Sequence, residues 1–233
     1  MSDIEPREFL IAYLVFLLST TLHEFGHAKV GDRFGSRFAA DAGLVTLNPL
    51  VHMKRSPFGM VMMPIVGVLF FGWLWPVGWA SVPYDPLWGA RNPSKKAWMS
   101  LSGPLGNVLL AVVALGLAKA LLIAGMLVVP ENPTLQHVLQ AANGDSNSPA
   151  GVLAYGLGVM MFMNIGLAIF NLLPVPPLDG AGVVEGFWPH QTRVLFDKLR
   201  EVPMISMIIF FVAFSYAWKL IRPVQVWAAQ MLM

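Results

Sequence analysis

Within an apolar stretch near the amino terminus stands Thr21-Leu22-His23-Glu24-Phe25-Gly26-His27-Ala28, where two histidines four residues apart enclose a glutamate. On a helix that spacing returns both imidazoles to nearly one face, a turn apart, so two ring nitrogens can converge on one metal ion. Zinc suits such a pair. Glu24 points about a quarter turn away, poorly placed as a third ligand but well placed to take a proton from a water held there. A chance pair of core histidines is the competing reading. Against it, imidazoles and a carboxylate set in hydrocarbon are costly without a function.

Two histidines do not complete a catalytic zinc site, which takes three protein ligands and leaves a fourth position open. The chain has no cysteine, so the third strong ligand must be a further His, Asp or Glu. Asp179 is the leading candidate, in Asn171-Leu-Leu-Pro174-Val-Pro176-Pro177-Leu178-Asp179-Gly180. It follows prolines that must end a helix, and irregular backbone at membrane depth is tolerated where it is buried in protein or lines a wet cavity. An ordinary Asp-Gly surface turn is the plainer alternative. Glu185, in Ala181-Gly-Val-Val-Glu185-Gly186, is a second candidate acid without the extended helix such a ligand would occupy.

The elements that must position these residues are membrane spans. The chain is 56% apolar and 12% charged, with a mean hydropathy of +0.64, and its charged fraction is about half that of a soluble domain. A net charge of +2, with basic residues beside apolar segments, orients a membrane protein and implies no nucleic-acid partner. The absence of cysteine excludes disulfides and thiolate metal sites. Residues 1–8 hold more acid than base and no cleavage site follows, so the first span is expected to be retained.

Apolar segments cover residues 9–30, 57–82, 97–129, 152–170 and 203–220. The expected fold is an all-α polytopic membrane protein of about four transmembrane helices, with a re-entrant segment and a small membrane-associated β-hairpin. The strand expectation rests on Ala42-Gly-Leu-Val-Thr-Leu-Asn48-Pro49, partly β-branched and ended by proline. Segment 57–82 carries Pro64, Gly67, Gly72, Pro76 and Gly78 among Trp73, Trp75 and Trp79, which disfavours one straight helix. If it dips in and returns, Lys29, Arg33, Arg37, Lys54, Arg55, Arg91, Lys95, Lys96, Arg193, Lys198 and Arg200 share a side against Arg7, Lys219 and Arg222. If it spans, the two sides balance. The positive-inside rule therefore favours re-entry and sets the His-Glu-x-x-His end of the first helix towards the cytoplasm, in a multi-pass protein of the cell membrane. Residues 1–233 read as a single domain, with its core at about 9–186 and C-terminal helices at about 203–233.

Four motifs in this order, His23-Glu24-Phe25-Gly26-His27, Leu47-Asn48-Pro49-Leu50-Val51-His52, Ser102-Gly103-Pro104-Leu105-Gly106-Asn107 and the Asn171 to Gly180 stretch, resemble the site-2 protease family of intramembrane zinc metalloproteases. The resemblance spans roughly residues 9–186, and its last motif is the most specific. It implies one zinc per chain bound by His23, His27 and Asp179, with Glu24 activating water. It further implies that Asn171 holds the substrate backbone and that Asn107 lies near the reacting carbonyl as an oxyanion donor. The stretch ending at Asn48 would bind substrate by strand addition, since a helical substrate hides its peptide bonds. The expected partners are a transmembrane protein substrate and the lipid bilayer. With no room for an accessory domain, selection would fall to the membrane core, an adaptor or a homo-oligomer.

The chain departs from the family after His52, where Met53-Lys-Arg-Ser-Pro57-Phe-Gly59 replaces a shorter Asp-Pro-x-Gly turn. His52 is accordingly read as structural or supporting, and not as a ligand, and His137 and His190 as solvated loop residues. A different class, a non-catalytic membrane protein that binds metal or docks a partner on the same fold, would have no evident use for Glu24.

Overall fold

A computed structural model, describing residues 5–71, 76 and 78–233, folds the chain into helices joined by short connections. In order these are α1 (Pro6–Arg33), the short α2 (Phe38–Asp41) and α3 (Pro49–Arg55), and a π-helical stretch, Phe58–Met62, that runs into α4 (Met63–Phe71). Then come α5 (Pro86–Arg91), α6 (Pro93–Ile123), the antiparallel pair β1 (Leu127–Val128) and β2 (Gln140–Ala141), α7 (Pro149–Asn171), α8 (Asp179–Phe187), α9 (Pro189–Glu201) and α10 (Pro203–Gln230). Helices α1, α6, α7 and α10 are long and apolar enough to cross a hydrocarbon core of about 30 Å. The chain is an all-α polytopic integral membrane protein.

Each span opens with proline in its first turn, where a missing N–H leaves no intrahelical bond unmade. Leu10, Leu14 and Leu18 of α1 and Leu105, Leu109 and Val112 of α6 stay exposed at helical spacing, the pattern of a face turned to lipid. The inward faces carry small residues. Among them, a Cβ on Gly26 of α1 would stand 2.8 Å from the Ser102 carbonyl oxygen of α6. A Cβ on Gly182 or Gly186 of α8 would likewise collide with Ser100 or with Pro93 and Ala97 of α6. Helix α6 thus sits at the centre, in near-backbone contact with α1 on one side and α8 on the other.

The segment after α3 is tied to α1 and to the residues that lead into α5. Pro64 has no N–H to return to the preceding turn, and the carbonyls of Met60 and Gly59 are taken up by tertiary donors instead. Tyr13 Oη of α1 donates to Met60 O at 3.0 Å, and Trp79 N donates to Gly59 O at 3.3 Å. Residues 59 and 79 are therefore neighbours in space, although twenty positions apart in the chain. Gly72, Trp73 and Trp75 lie outside the described residues.

Residues 42–48 form no strand. Gly43 sits at φ 70°, and Asn48 caps α3 by accepting from Leu50 N at 3.0 Å with Pro49 in the first helical turn. The proline that looked like a strand terminator is a helix starter. The antiparallel pair lies instead in the connection between α6 and α7, where Leu127 pairs with Ala141 and Val128 with Gln140. His52 is buried in α3 with Nε2 2.9 Å from Thr46 O, away from the metal motif.

Candidate metal centre

Helix α1 carries His23 and His27 on the face turned to α6, and α8 begins at the third acidic candidate. Leu172 to Leu178 cannot stay helical with Pro174, Pro176 and Pro177 in it, so the chain breaks and restarts with Asp179 in the first turn of α8. This delivers the carboxylate to the imidazoles. His23 Nε2 lies 3.0 Å from Asp179 Oδ2, His27 Nε2 lies 3.3 Å from Asp179 Oδ1, and the two Nε2 atoms are 3.0 Å apart.

The ring nitrogens on the far side decide whether this donor set suits a metal. His27 Nδ1 donates to Met99 O at 2.7 Å, a backbone carbonyl that can only accept. His23 Nδ1 lies 2.6 Å from Asn107 Oδ1. With their protons committed there, both imidazoles turn bare Nε2 lone pairs towards the carboxylate, and such an array needs positive charge at its centre. Two ligands of one tetrahedral zinc stand about 3.3 Å apart, given bonds of about 2.0–2.1 Å, close to the separations seen here. Among the described residues this is the group of His, Asp and Glu side chains near enough to share an ion. The residues fit zinc.

Glu24 is 5% exposed and its Oε2 is buried without a hydrogen-bond partner. A carboxylate oxygen left so is expensive unless something polar enters the site to meet it. The wall opposite is Gly103 of α6, where a Cβ would stand within 2.7 Å of both Nε2 atoms. Gly103→Ala is therefore expected to push the rings apart and weaken zinc binding about 10- to 100-fold, the equivalent of the roughly 1–3 kcal/mol that overpacking costs. Zinc titration of purified protein would check it, and unchanged affinity would mean that the rings have slack.

The other candidates separate clearly. Glu185 lies along α8 with Oε2 2.6 Å from Lys96 Nζ of α6, their side chains 16% and 13% exposed, and it does not join the cluster. Glu185→Gln would leave the Lys96 ammonium largely buried with the Tyr84 ring beside it. We expect it to lower stability by about 3 kcal/mol while keeping the metal, a combination read by thermal unfolding and zinc content together. Asn107 is fully buried and engaged at both ends, its Nδ2 donating to Asn164 Oδ1 at 2.8 Å. Asn171 closes α7 half-buried, its Nδ2 donating to Leu167 O at 2.9 Å. Asn48 is exposed in its capping role. His137 stands beside Glu8 at 3.7 Å on the opposite side of the membrane span, and His190 is exposed. Sequence reasoning missed Asn164 and Ser19, although an amide midway along an apolar helix such as α7 is itself a signal.

Fold and cluster together define a polytopic membrane protein with a candidate metallopeptidase centre. The chain belongs to peptidase family M50, the site-2 protease family, whose model matches residues 11–214. It is 30% identical over 207 residues to YwhC of Bacillus subtilis, named as a candidate zinc metalloprotease, covering 88% of this chain and 81% of that one. It is also 30% identical over 202 residues to Rip2 of Mycolicibacterium smegmatis, which bears the same designation, covering 86% of this chain and 66% of that one. Rip2 of Mycobacterium tuberculosis is 24% identical over 205 residues. No solved structure gave a significant match.

Proposed function

We propose that the chain is a zinc-dependent intramembrane endopeptidase that hydrolyses peptide bonds within or near transmembrane segments of other membrane proteins. The observation that carries this reading is the convergence of His23, His27 and Asp179 beside the unpartnered, buried Glu24 oxygen. His23 lies seventeen residues into α1, about 26 Å from its start, so the reaction would take place inside the bilayer's span.

Zinc held by these three residues supplies Lewis acidity, making a water more acidic and polarising the carbonyl it attacks. Glu24 takes the water proton and returns it to the departing amine nitrogen, so one carboxylate serves both proton transfers. Asp179 offsets the ion's charge. Asn171, next to the proline-broken loop that carries Asp179, suits contact with an extended substrate backbone. Asn107 and Asn48 suit internal roles, since their amides already serve His23 and α3. The distribution of Lys and Arg supports an orientation with the zinc end of α1 towards the cytoplasmic side of the cell membrane, and the whole chain is read as one protease domain.

The test is co-expression with single-span membrane proteins tagged at both ends, scored for a cut inside the span that needs wild-type enzyme and disappears with a chelator. Cleavage confined to soluble chains would overturn the intramembrane part of the reading. No cleavage by a zinc-loaded protein across a broad panel would favour a docking role.

A further inference from the structure

A buried line of polar groups runs from α7 to the metal ligand, and its polarity is set at both ends. Ser19 Oγ donates to Val15 O at 2.7 Å, so its lone pairs are left to accept from Asn164 Nδ2 at 2.9 Å. The second Asn164 Nδ2 proton goes to Met160 O at 2.8 Å. Its Oδ1 must then be the atom facing Asn107, and it accepts from Asn107 Nδ2 at 2.8 Å. That fixes the Asn107 amide in turn, with Oδ1 towards His23 Nδ1 at 2.6 Å. Ser19, Asn107 and Asn164 have no exposed surface, so no solvent competes for these bonds.

We propose that Asn164 is a positioning residue for the metal centre: by fixing the orientation of the Asn107 amide it selects the His23 tautomer whose bare Nε2 faces His27 and Asp179. Two backbone carbonyls, Val15 O and Met160 O, accept only, and every donor and acceptor between them and His23 follows. Without Asn164 the Asn107 amide is held against turning over by the bond from Nδ2 to Ser19 O, which at 3.4 Å is longer than an ordinary N–H···O bond. Once turned over, its NH2 group would face His23 Nδ1, the proton would move to Nε2, and the ligand position would be blocked. The line also ties α7, which contributes no ligand, to the ligand on α1.

This inference rests on the zinc reading, and the experiment keeps the two apart. Zinc and cobalt(II) dissociation constants would be measured for full-length wild type, Asn164→Leu, Asn107→Asp and the double variant in detergent. The cobalt absorption spectrum would serve as a readout independent of activity. Asn164→Leu is expected to bind 10- to 100-fold more weakly, the range for losing a group that orients a metal-bound histidine. A carboxylate at 107 accepts from His23 Nδ1 whichever way it turns, so with Asn107→Asp already present the further Asn164→Leu change should cost less than about 3-fold. Equal losses in both backgrounds, or none in either, would overturn the proposal. Should Asn164→Leu fail to fold, Ser19→Ala removes one of the two acceptors that orient Asn164 and should weaken binding about 3-fold, a loss that disappears when Asn107→Asp is already present; no change, or the same loss in both backgrounds, would overturn the proposal. A wild-type protein that takes up neither ion would overturn the zinc reading itself, and this proposal with it.

Discussion

Asp179→Ala is expected to strip the protein of zinc while leaving it folded. The carboxylate supplies two oxygens at 3.0 and 3.3 Å from the His23 and His27 Nε2 atoms, and no second acid lies near enough among the described residues to replace it. Zinc bound to a protein site is worth about 10–16 kcal/mol, so losing one ligand of three removes on the order of 4 kcal/mol, or about a thousandfold in affinity. After dialysis against a chelator of intermediate strength, wild type should retain about one zinc per chain and Asp179→Ala essentially none. Glu185→Gln should keep its zinc despite lower stability. Asp179→Ala retaining wild-type zinc would sink the three-ligand assignment. Removing Asp179 should not unfold the chain, because α8 is seated through Gly180, Gly182 and Gly186 against neighbouring backbone and side chains.

Glu24→Gln should do the reverse, keeping the metal and losing the reaction. The amide has nearly the same shape, and Glu24 is not within the ligand cluster, so zinc content and melting temperature should stay within error of wild type. Glutamine cannot accept the water proton, and hydrolysis of a cleaved membrane substrate should fall by a factor of about 100 to 10,000, the range that positioned acid–base groups contribute. Cleavage rate in liposomes, normalised to zinc content, is the measurement. A Glu24→Gln variant that cuts at wild-type rate would remove Glu24 from the chemistry and return the buried oxygen to an unexplained feature of α1.

Much of this was legible in the chain because membrane spans restrict the choices. Composition fixed the class, and His23, Glu24 and His27 declare themselves by spacing on one helix. Asp179 was legible as a candidate through the prolines before it, which must break α7 and let the chain restart as α8. For 57–82 the prolines and glycines speak against one straight helix and the charge distribution for a course that dips in and returns; the bond from Trp79 N to Gly59 O brings the two ends of the segment together. Residues 42–49 misled, because Pro49 after a β-branched run reads equally as the end of a strand or the start of a helix. Asn48, which accepts from Leu50 N, decides for the helix. Asn107 was recognised as relevant, but whether its amide faces substrate or ligand depends on Asn164, 57 positions away. Side-chain polarity of that kind is a tertiary property, and neither period nor propensity encodes it.

Helices seated backbone to backbone cannot part by a little. Helix α6 meets α1 at Gly26 and α8 at Gly182 and Gly186, so the two walls that bear the ligands are braced on one post. A gate cut between them would carry the histidines away from Asp179 and dismantle the centre each time it opened. On the other flank of α1 the contact is of another kind, a side-chain bond from the Tyr13 phenol to Met60 O at 3.0 Å, which can be made and broken without moving the backbone of α1 or α6.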